Sequence, residues 1–118
     1  LGHITTFGGH PVCCAAGLAA MKVLLEEKII DAIKEKEESF KSLLVHKKIK
    51  AIRSFGLWMA VEFDSFETNK KVIDTCIKSG VMTDWYLFAP NCMRISPPLM
   101  ISKKEISKAC EIILSSVS

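Results

Sequence analysis

Residues 5–21, TTFGGHPVCCAAGLAAM, restrict what this chain can fold into more than any other stretch. A Thr-Thr pair, two glycines and a proline lead into a run whose apolar residues occupy every side of a helix. Such a helix has no polar face to present to water, so another domain or subunit has to cover it. We therefore expect residues 12–21 to be disordered, or packed against a neighbouring chain, when this chain is alone. The chain begins with Leu1 instead of methionine, and residues 1–6 lack the basic-then-apolar order of a secretory signal. It is expected to be part of a longer protein.

The remainder reads as one globular domain. Its 118 residues are 49% hydrophobic and 25% charged, enough length and apolar content for a core. Lys22 interrupts the apolar run well short of the roughly 18 residues of a membrane span, so no membrane role is expected. The net charge of +3 comes from lysines that alternate with glutamates over residues 34–38, the pattern of a solvated helix face and not of a nucleic-acid surface. The cysteines are odd in number (Cys13, Cys14, Cys76, Cys92 and Cys110), and three fall in apolar helical patterns. This points to free thiols in a reducing cytoplasm. No metal is expected, because there is no C-x-x-C and His3, His10 and His46 have no matching ligand spacing.

Hydrophobic periodicity orders the elements. After a break at residues 27–29, a second helix carries Ile29 or Ile30, Ile33, Phe40, Leu43 and Leu44 on one stripe. From residue 49 the period becomes two. A short strand over residues 50–54 leads through Gly56 to a second, in which Leu57, Met59, Val61 and Phe63 alternate with Trp58, Ala60, Glu62 and Asp64. A third helix is predicted over residues 68–79, with Gly80 at its C-terminal cap. Next come a short strand over residues 81–83, a loop through DWYLFAPN, and a strand over residues 93–96 that Pro97 and Pro98 end. Ser102-Lys103-Lys104-Glu105 is a capping box that opens a last helix with Ile106, Ala109, Cys110, Ile113, Leu114 and Val117 on one face. The order α-α-β-β-α-β-β-α describes an α+β fold, a small, mostly antiparallel sheet covered by helices.

Three places can carry chemistry. Thr5 and Thr6, the glycines and a proline-started helix together offer hydroxyls, amides and a positive helix end to a phosphate; the same residues also suit a plain turn into a helix. Arg94, in CMRISPPL, can clamp a carboxylate through two parallel hydrogen bonds, or pair with a surface glutamate. Trp85, Tyr86 and Phe88 can line a pocket or cover a sheet edge.

Four blocks bear on that choice: HITTFGGHPVCCAAGLAAMKVLLEE, IRSFGLWMAVEF, GVMTDW and RISPPLMISKKEI. Together, in this order, they resemble the C-terminal part of class III pyridoxal-phosphate aminotransferases, the group containing ornithine and acetylornithine aminotransferases. The resemblance implies the small C-terminal domain of a fold-type I enzyme (residues 28–118), preceded by an interdomain segment and long apolar connecting helix (residues 1–27). It implies a homodimer in which Thr6 and Phe7 meet the cofactor phosphate of the partner subunit, and in which Arg94 binds the carboxylate of an amino-acid or 2-oxo-acid substrate. The cofactor implied is pyridoxal 5'-phosphate, and the reaction is amino-group transfer from an ornithine-like donor.

The chain departs from the family at His10, where asparagine is usual. No lysine here sits in a pattern that would bury it, so the lysine that holds the cofactor is expected upstream, with no catalytic residue in this chain. The chain alone is then expected to be inactive. A stand-alone α+β interaction or regulatory module, and a related decarboxylase or mutase, stay open as alternatives.

Overall fold

The computed structural model describes residues 4–117. Leu1, Gly2, His3 and Ser118 lie outside the described residues, and with them the sequence reading of His3 and of the first three positions. The chain divides into two compact units, one ending at Ala32 and the other beginning at Ile33.

In the first unit, helix α1 spans Pro11–Glu26. Proline at the first helical position loses no hydrogen bond and brings a helical φ. His10 precedes it in an extended conformation, without a side-chain cap. None of the residues of α1 is buried. The helix stops at Glu27, and Lys28 takes a positive φ of 50°, uncommon for a residue with a Cβ. A 3-10 turn, Ile29–Ala32, follows. The break expected at residues 27–29 is therefore present, made by a left-handed lysine where a glycine is more usual.

The second unit is a sheet with helices on one face. Helix α2 (Ile33–Leu43) precedes the hairpin of β1 (Ala51–Phe55) and β2 (Trp58–Glu62). Gly56, at φ 60°, makes the tight turn between them, and a Cβ there would lie 2.8 Å from Ile33 Cγ2. Helix α3 (Phe66–Lys78), β3 (Asp84–Tyr86), β4 (Ala89–Ile95) and α4 (Lys103–Val117) complete the order. The strands run β1-β2-β4-β3 and every pairing is antiparallel.

The two-residue period decides the core. Leu57, Met59, Val61 and Phe63 are all buried, as their alternation required, and face Met93 and Ile95 of β4 together with Val72, Ile73 and Cys76 of α3. Ile106, Cys110, Ile113 and Val117 close the core from α4, and Phe40 with Leu44 from α2. Leu43 departs from its expected place on the stripe and is 41% exposed, because Phe40 and Leu44, four residues apart, already occupy the inward face. The capping box forms as read: Glu105 N donates to Ser102 Oγ at 3.3 Å, and Ser102 N to Glu105 Oε2 at 2.8 Å. The Ser102 hydroxyl, which donates to Glu105 Oε2 at 2.7 Å, and then the Ser102 amide hold the Glu105 carboxyl below its ordinary value.

Four sequence expectations are corrected. Residues 81–83 do not form a strand. Gly80 is left-handed, at φ 87°, and Val81 N donates back to Cys76 O while Gly80 N donates to Ile77 O, a Schellman cap that ties this segment to the helix end. Residues 84–91 are not a loop. Asp84–Tyr86 and the start of β4 form a hairpin around Leu87 and Phe88, and its β-bulge at Trp85/Tyr86 disturbs the ladder beside Pro90. The strand expected at 93–96 accordingly begins at Ala89 and ends at Ile95. Helix α3 starts at Phe66, two residues before the expected 68, because Ser65 caps it by accepting from Thr68 N at 3.1 Å.

Cys76, Cys92 and Cys110 are buried, and Cys13 and Cys14 are exposed. Burial pushes the Cys110 thiol up to about 12, well away from thiolate formation at neutral pH. We expect a thiol-specific alkylating reagent at pH 7.5 to label Cys13 and Cys14 and to reach Cys110 only after denaturant is added. Mass spectrometry of the labelled chain checks this; rapid native labelling at Cys110 would show the α4 face of the core to be open.

Candidate functional site

The helices cover one face of the sheet, and the other carries its charged residues in a row. Arg53 on β1 pairs with Ala60 on β2, Ala60 with Arg94 on β4, and Arg94 with Asp84 on β3. Register alone thus aligns two guanidiniums and a carboxylate across four strands, with the Ala60 methyl group between the arginines. The hairpin turn at Gly56 sets the first pairing; the last is set by the register shift between Trp85 and Tyr86, since the Leu87–Phe88 turn alone would place Asp84 opposite Asn91.

Arg94 is held at both ends. Thr83 Oγ1 donates to its carbonyl at 2.6 Å, and its Nη2 lies 3.6 Å from Asp84 Oδ2. The side chains of Arg94 and Asp84 are 45% and 51% exposed. The other Asp84 oxygen accepts from Trp85 N at 2.8 Å, which anchors the carboxylate to its own strand. Arg53 Nη1 donates to Glu62 Oε2 at 2.5 Å, and its Nη2 to Cys92 Sγ at 3.3 Å. Cys92 is thereby covered although Arg94, two residues on, is open.

Trp58, Trp85, Tyr86, Leu87 and Phe88 wall an open concavity of about 680 Å³ over this row, with Ala60 and both arginines in its lining. A second concavity, of about 740 Å³, lies beyond β4 against α4, and Arg94 with Asp84 forms the rim common to both. Tyr86 Oη donates to Met59 O at 3.1 Å, and burial raises its phenol above the ordinary value, with Arg94 opposing. Trp85 meets Phe66 edge to face, ring centroids 5.7 Å apart. The aromatic segment therefore lines a concavity, the first of the two uses weighed from sequence, and does not cover a sheet edge but forms it, as strand β3.

The sequence reading placed Arg94 in a strand beside the Pro-Pro exit, and the structure agrees. It missed Asp84 and Arg53. Arg53 was recoverable from the two-residue turn at Gly56, which puts residue 53 opposite 60. Asp84 was hidden because DWYLFAPN reads as a loop, and only the hairpin brings it across from Arg94.

In the first unit, Phe7 O accepts from His10 N at 3.1 Å, with Gly9 at φ 78° inside the turn, where residues with a Cβ are strained. A Cβ on Gly8 would collide with Thr5 Oγ1, so Gly8 has to stay bare. Thr6 and Phe7 are exposed, and the Thr6 hydroxyl makes no hydrogen bond among the described residues. The uncapped first turn of α1 follows directly. A bare glycine, a free hydroxyl and unpaired helix amides fit a phosphate group.

Among the described residues no lysine is buried, no group of His, Cys, Asp or Glu is arranged to hold a metal, and no helix is long and apolar enough to cross a membrane.

The α+β architecture, a four-stranded antiparallel sheet with helices on one face, agrees with the comparisons to known proteins. The family model described as Aminotransferase class-III matches residues 1–117, and the chain belongs to that family. The acetylornithine aminotransferase of Alnus glutinosa, a mitochondrial protein, is 32% identical over 95% of this chain and 25% of its own length. An ornithine aminotransferase of Emericella nidulans is 32% identical over 98% of this chain and 27% of its own. The structure of Toxoplasma gondii ornithine aminotransferase, which shows partial occupancy of pyridoxal phosphate at its active site, superposes with a TM-score of 0.82 at 32% identity, covering 98% of this chain and 28% of that one. The chain thus spans about a quarter of the length of the relatives it matches.

Proposed function

We propose that this chain is the C-terminal part of a class III aminotransferase that moves an amino group between an ornithine-like amino acid and a 2-oxo acid. The observation that carries the reading is Arg94, fixed by backbone register on the rim of an aromatic-walled concavity, with most of its N–H groups free of protein partners. A guanidinium so placed binds a carboxylate at any working pH and orients what is attached to it. Residues 28–118 would form the small domain of the enzyme, and residues 1–27 the interdomain segment whose apolar helix the rest of the enzyme covers.

Thr6, Phe7 and the glycines would hold the phosphate of pyridoxal 5'-phosphate, in a homodimer the phosphate of the partner subunit. The Thr6 hydroxyl and the first amides of α1 would donate to it. When bound, pyridoxal phosphate supplies an electron sink that makes a proton next to the substrate nitrogen removable. The part of this chain would be to bind and orient: Arg94 takes the substrate carboxylate, and the aromatic residues flank its apolar body, with water excluded once the rest of the enzyme covers the site. Its lysines are all exposed or half-exposed, none of them enclosed in a pocket, and the lysine that holds the cofactor would lie outside this chain. The enzyme would work in the cytoplasm.

The test compares the 118-residue chain with the longer protein that carries it. Each is supplied with pyridoxal phosphate, ornithine and a 2-oxo acid, and amino-group transfer is followed by the new amino acid formed. Transfer by the longer protein and none by the chain alone is the expected result. Turnover by the isolated chain would overturn the assignment of the cofactor lysine, and a longer protein inert toward every amino donor would overturn the aminotransferase reading in favour of a non-catalytic module.

A further inference from the structure

We infer that Asn69, buried on α3, is a positioning residue for the Arg94 site: it locks the register of β3 against β4 and so keeps Asp84 and the aromatic wall beside Arg94. The consequence for the enzyme rests on the reading of Arg94 as the substrate's carboxylate ligand. The lock itself rests on geometry alone.

The Leu87–Phe88 turn puts Tyr86 opposite Ala89, and a regular ladder continued from that pair would put Asp84 opposite Asn91. The observed ladder skips. Trp85 is opposite Met93 and Asp84 opposite Arg94, so Pro90, Asn91 and Cys92 have no counterpart in β3. Such an irregularity leaves backbone groups without ladder partners, and other bonds have to compensate.

The first turn of α3 supplies them. Asn69 Nδ2 donates to Pro90 O at 2.7 Å, inside the skipped stretch. Three residues earlier, and so on the same side of the helix, Phe66 meets Trp85 edge to face, ring centroids 5.7 Å apart. The helix therefore grips β4 within the skip and β3 at its last residue before it. Toward β2 the skipped stretch is bonded twice more: Phe63 N donates to Asn91 O at 3.0 Å, and Asn91 Nδ2 to Phe63 O at 3.2 Å. Those bonds hold β4 to β2, so a lost lock lets β3 slip while Arg94 stays opposite Ala60.

The chemistry of Asn69 points the same way. It is 0% exposed, and its Oδ1 has no partner among the described residues. A carbonyl only accepts, so the amide nitrogen has to face Pro90 and the oxygen is the atom left bare. A bare buried oxygen destabilises the core, and leucine, with the same branched outline, carries no such penalty. What the amide does there, and leucine cannot, is hold the Pro90 carbonyl.

The register is read in the 118-residue chain by NMR, from nuclear Overhauser contacts of the residue 84 backbone with residues 94 and 91. The parent should give the 84–94 contact. Asn69→Leu is expected to weaken it by roughly half or more and to bring up the 84–91 contact, while the β2–β4 contacts persist. The urea midpoint should not fall, a combination that lost packing does not produce. Asn69→Ala, which adds no bulk, gives the same reading if leucine strains the core. An 84–94 contact at parent strength in both variants overturns the lock and leaves the reading of Arg94 untouched. Loss of the β2–β4 contacts in both variants, with a lower urea midpoint, makes Asn69 a residue of the core alone and also overturns the lock.

In the longer enzyme, Asn69→Leu is expected to raise the KM for the 2-oxo acid about three- to tenfold with kcat within about twofold, because Arg94 keeps its place and loses its flanking residues. A KM unchanged by Asn69→Leu but raised by Arg94→Ala overturns the positioning role. A KM unchanged by either overturns the carboxylate reading of Arg94, and the NMR contacts then decide the lock by themselves.

Discussion

Arg94→Ala in the enzyme that carries this chain will raise the KM for the 2-oxo acid by roughly 30- to 1000-fold, equivalent to about 2–4 kcal/mol. The figure is that of a desolvated carboxylate losing its charged partner once the rest of the enzyme has closed over the site. In the uncovered chain, where Arg94 is 45% exposed, water screens the pair and the same substitution changes carboxylate binding by less than about 1 kcal/mol. Steady-state kinetics with the 2-oxo acid varied at saturating amino donor checks the first value. On the proposed role, in which Arg94 orients the substrate and moves no proton, kcat should fall less than kcat/KM. A KM within twofold of the parent enzyme would remove Arg94 from the site.

Phe63→Ala in the 118-residue chain will lower the free energy of unfolding by about 3–5 kcal/mol. The ring is 1% exposed and ends the inward series of β2, packed in the one core that joins the sheet to its helices. Its removal deletes transfer free energy and leaves a cavity that the close-packed neighbours fill only in part. Against a total of about 5–15 kcal/mol for a domain, that loss removes a large share of the stability. Urea unfolding followed by circular dichroism should show the midpoint fall with little change in slope. Phe55→Ala, at a side chain 90% exposed on β1, is the control and should stay within about 0.5 kcal/mol of the parent. If both substitutions had equal effects, the inward series of β2 would not be what holds the sheet to its helices.

Most of the fold was legible because it depends on local rules. The alternation through Leu57, Met59, Val61 and Phe63 requires one buried face, and all four are buried. Ser102 with Glu105 marked the start of α4 through donors that any helix leaves unpaired, and the cap forms there. Where the reading failed, a longer-range interaction overrode a local pattern. Val81 reads as the start of a strand, but its amide is taken by Cys76 O at the end of α3. Pro90 reads as the end of a loop, but its lack of an N–H does no harm beside an irregular pairing, and its carbonyl accepts from the buried Asn69 Nδ2 at 2.7 Å.

By itself the sequence determined the helices and the first hairpin, the inward side of β2, the C-terminal cap of α3 and the capping box of α4, and the presence of an arginine in a strand before Pro97 and Pro98. Period, capping and proline chemistry act over a few residues, so these can be read along the chain. Only the tertiary structure decided which residues share a row, because strand register is set by turns and by pairings between distant segments. The hairpin around Leu87 and Phe88 brings Asp84 opposite Arg94, and β2 lies between Arg53 and that pair. That row sets Arg94 beside Asp84 and one strand away from Arg53, a juxtaposition no local pattern announces.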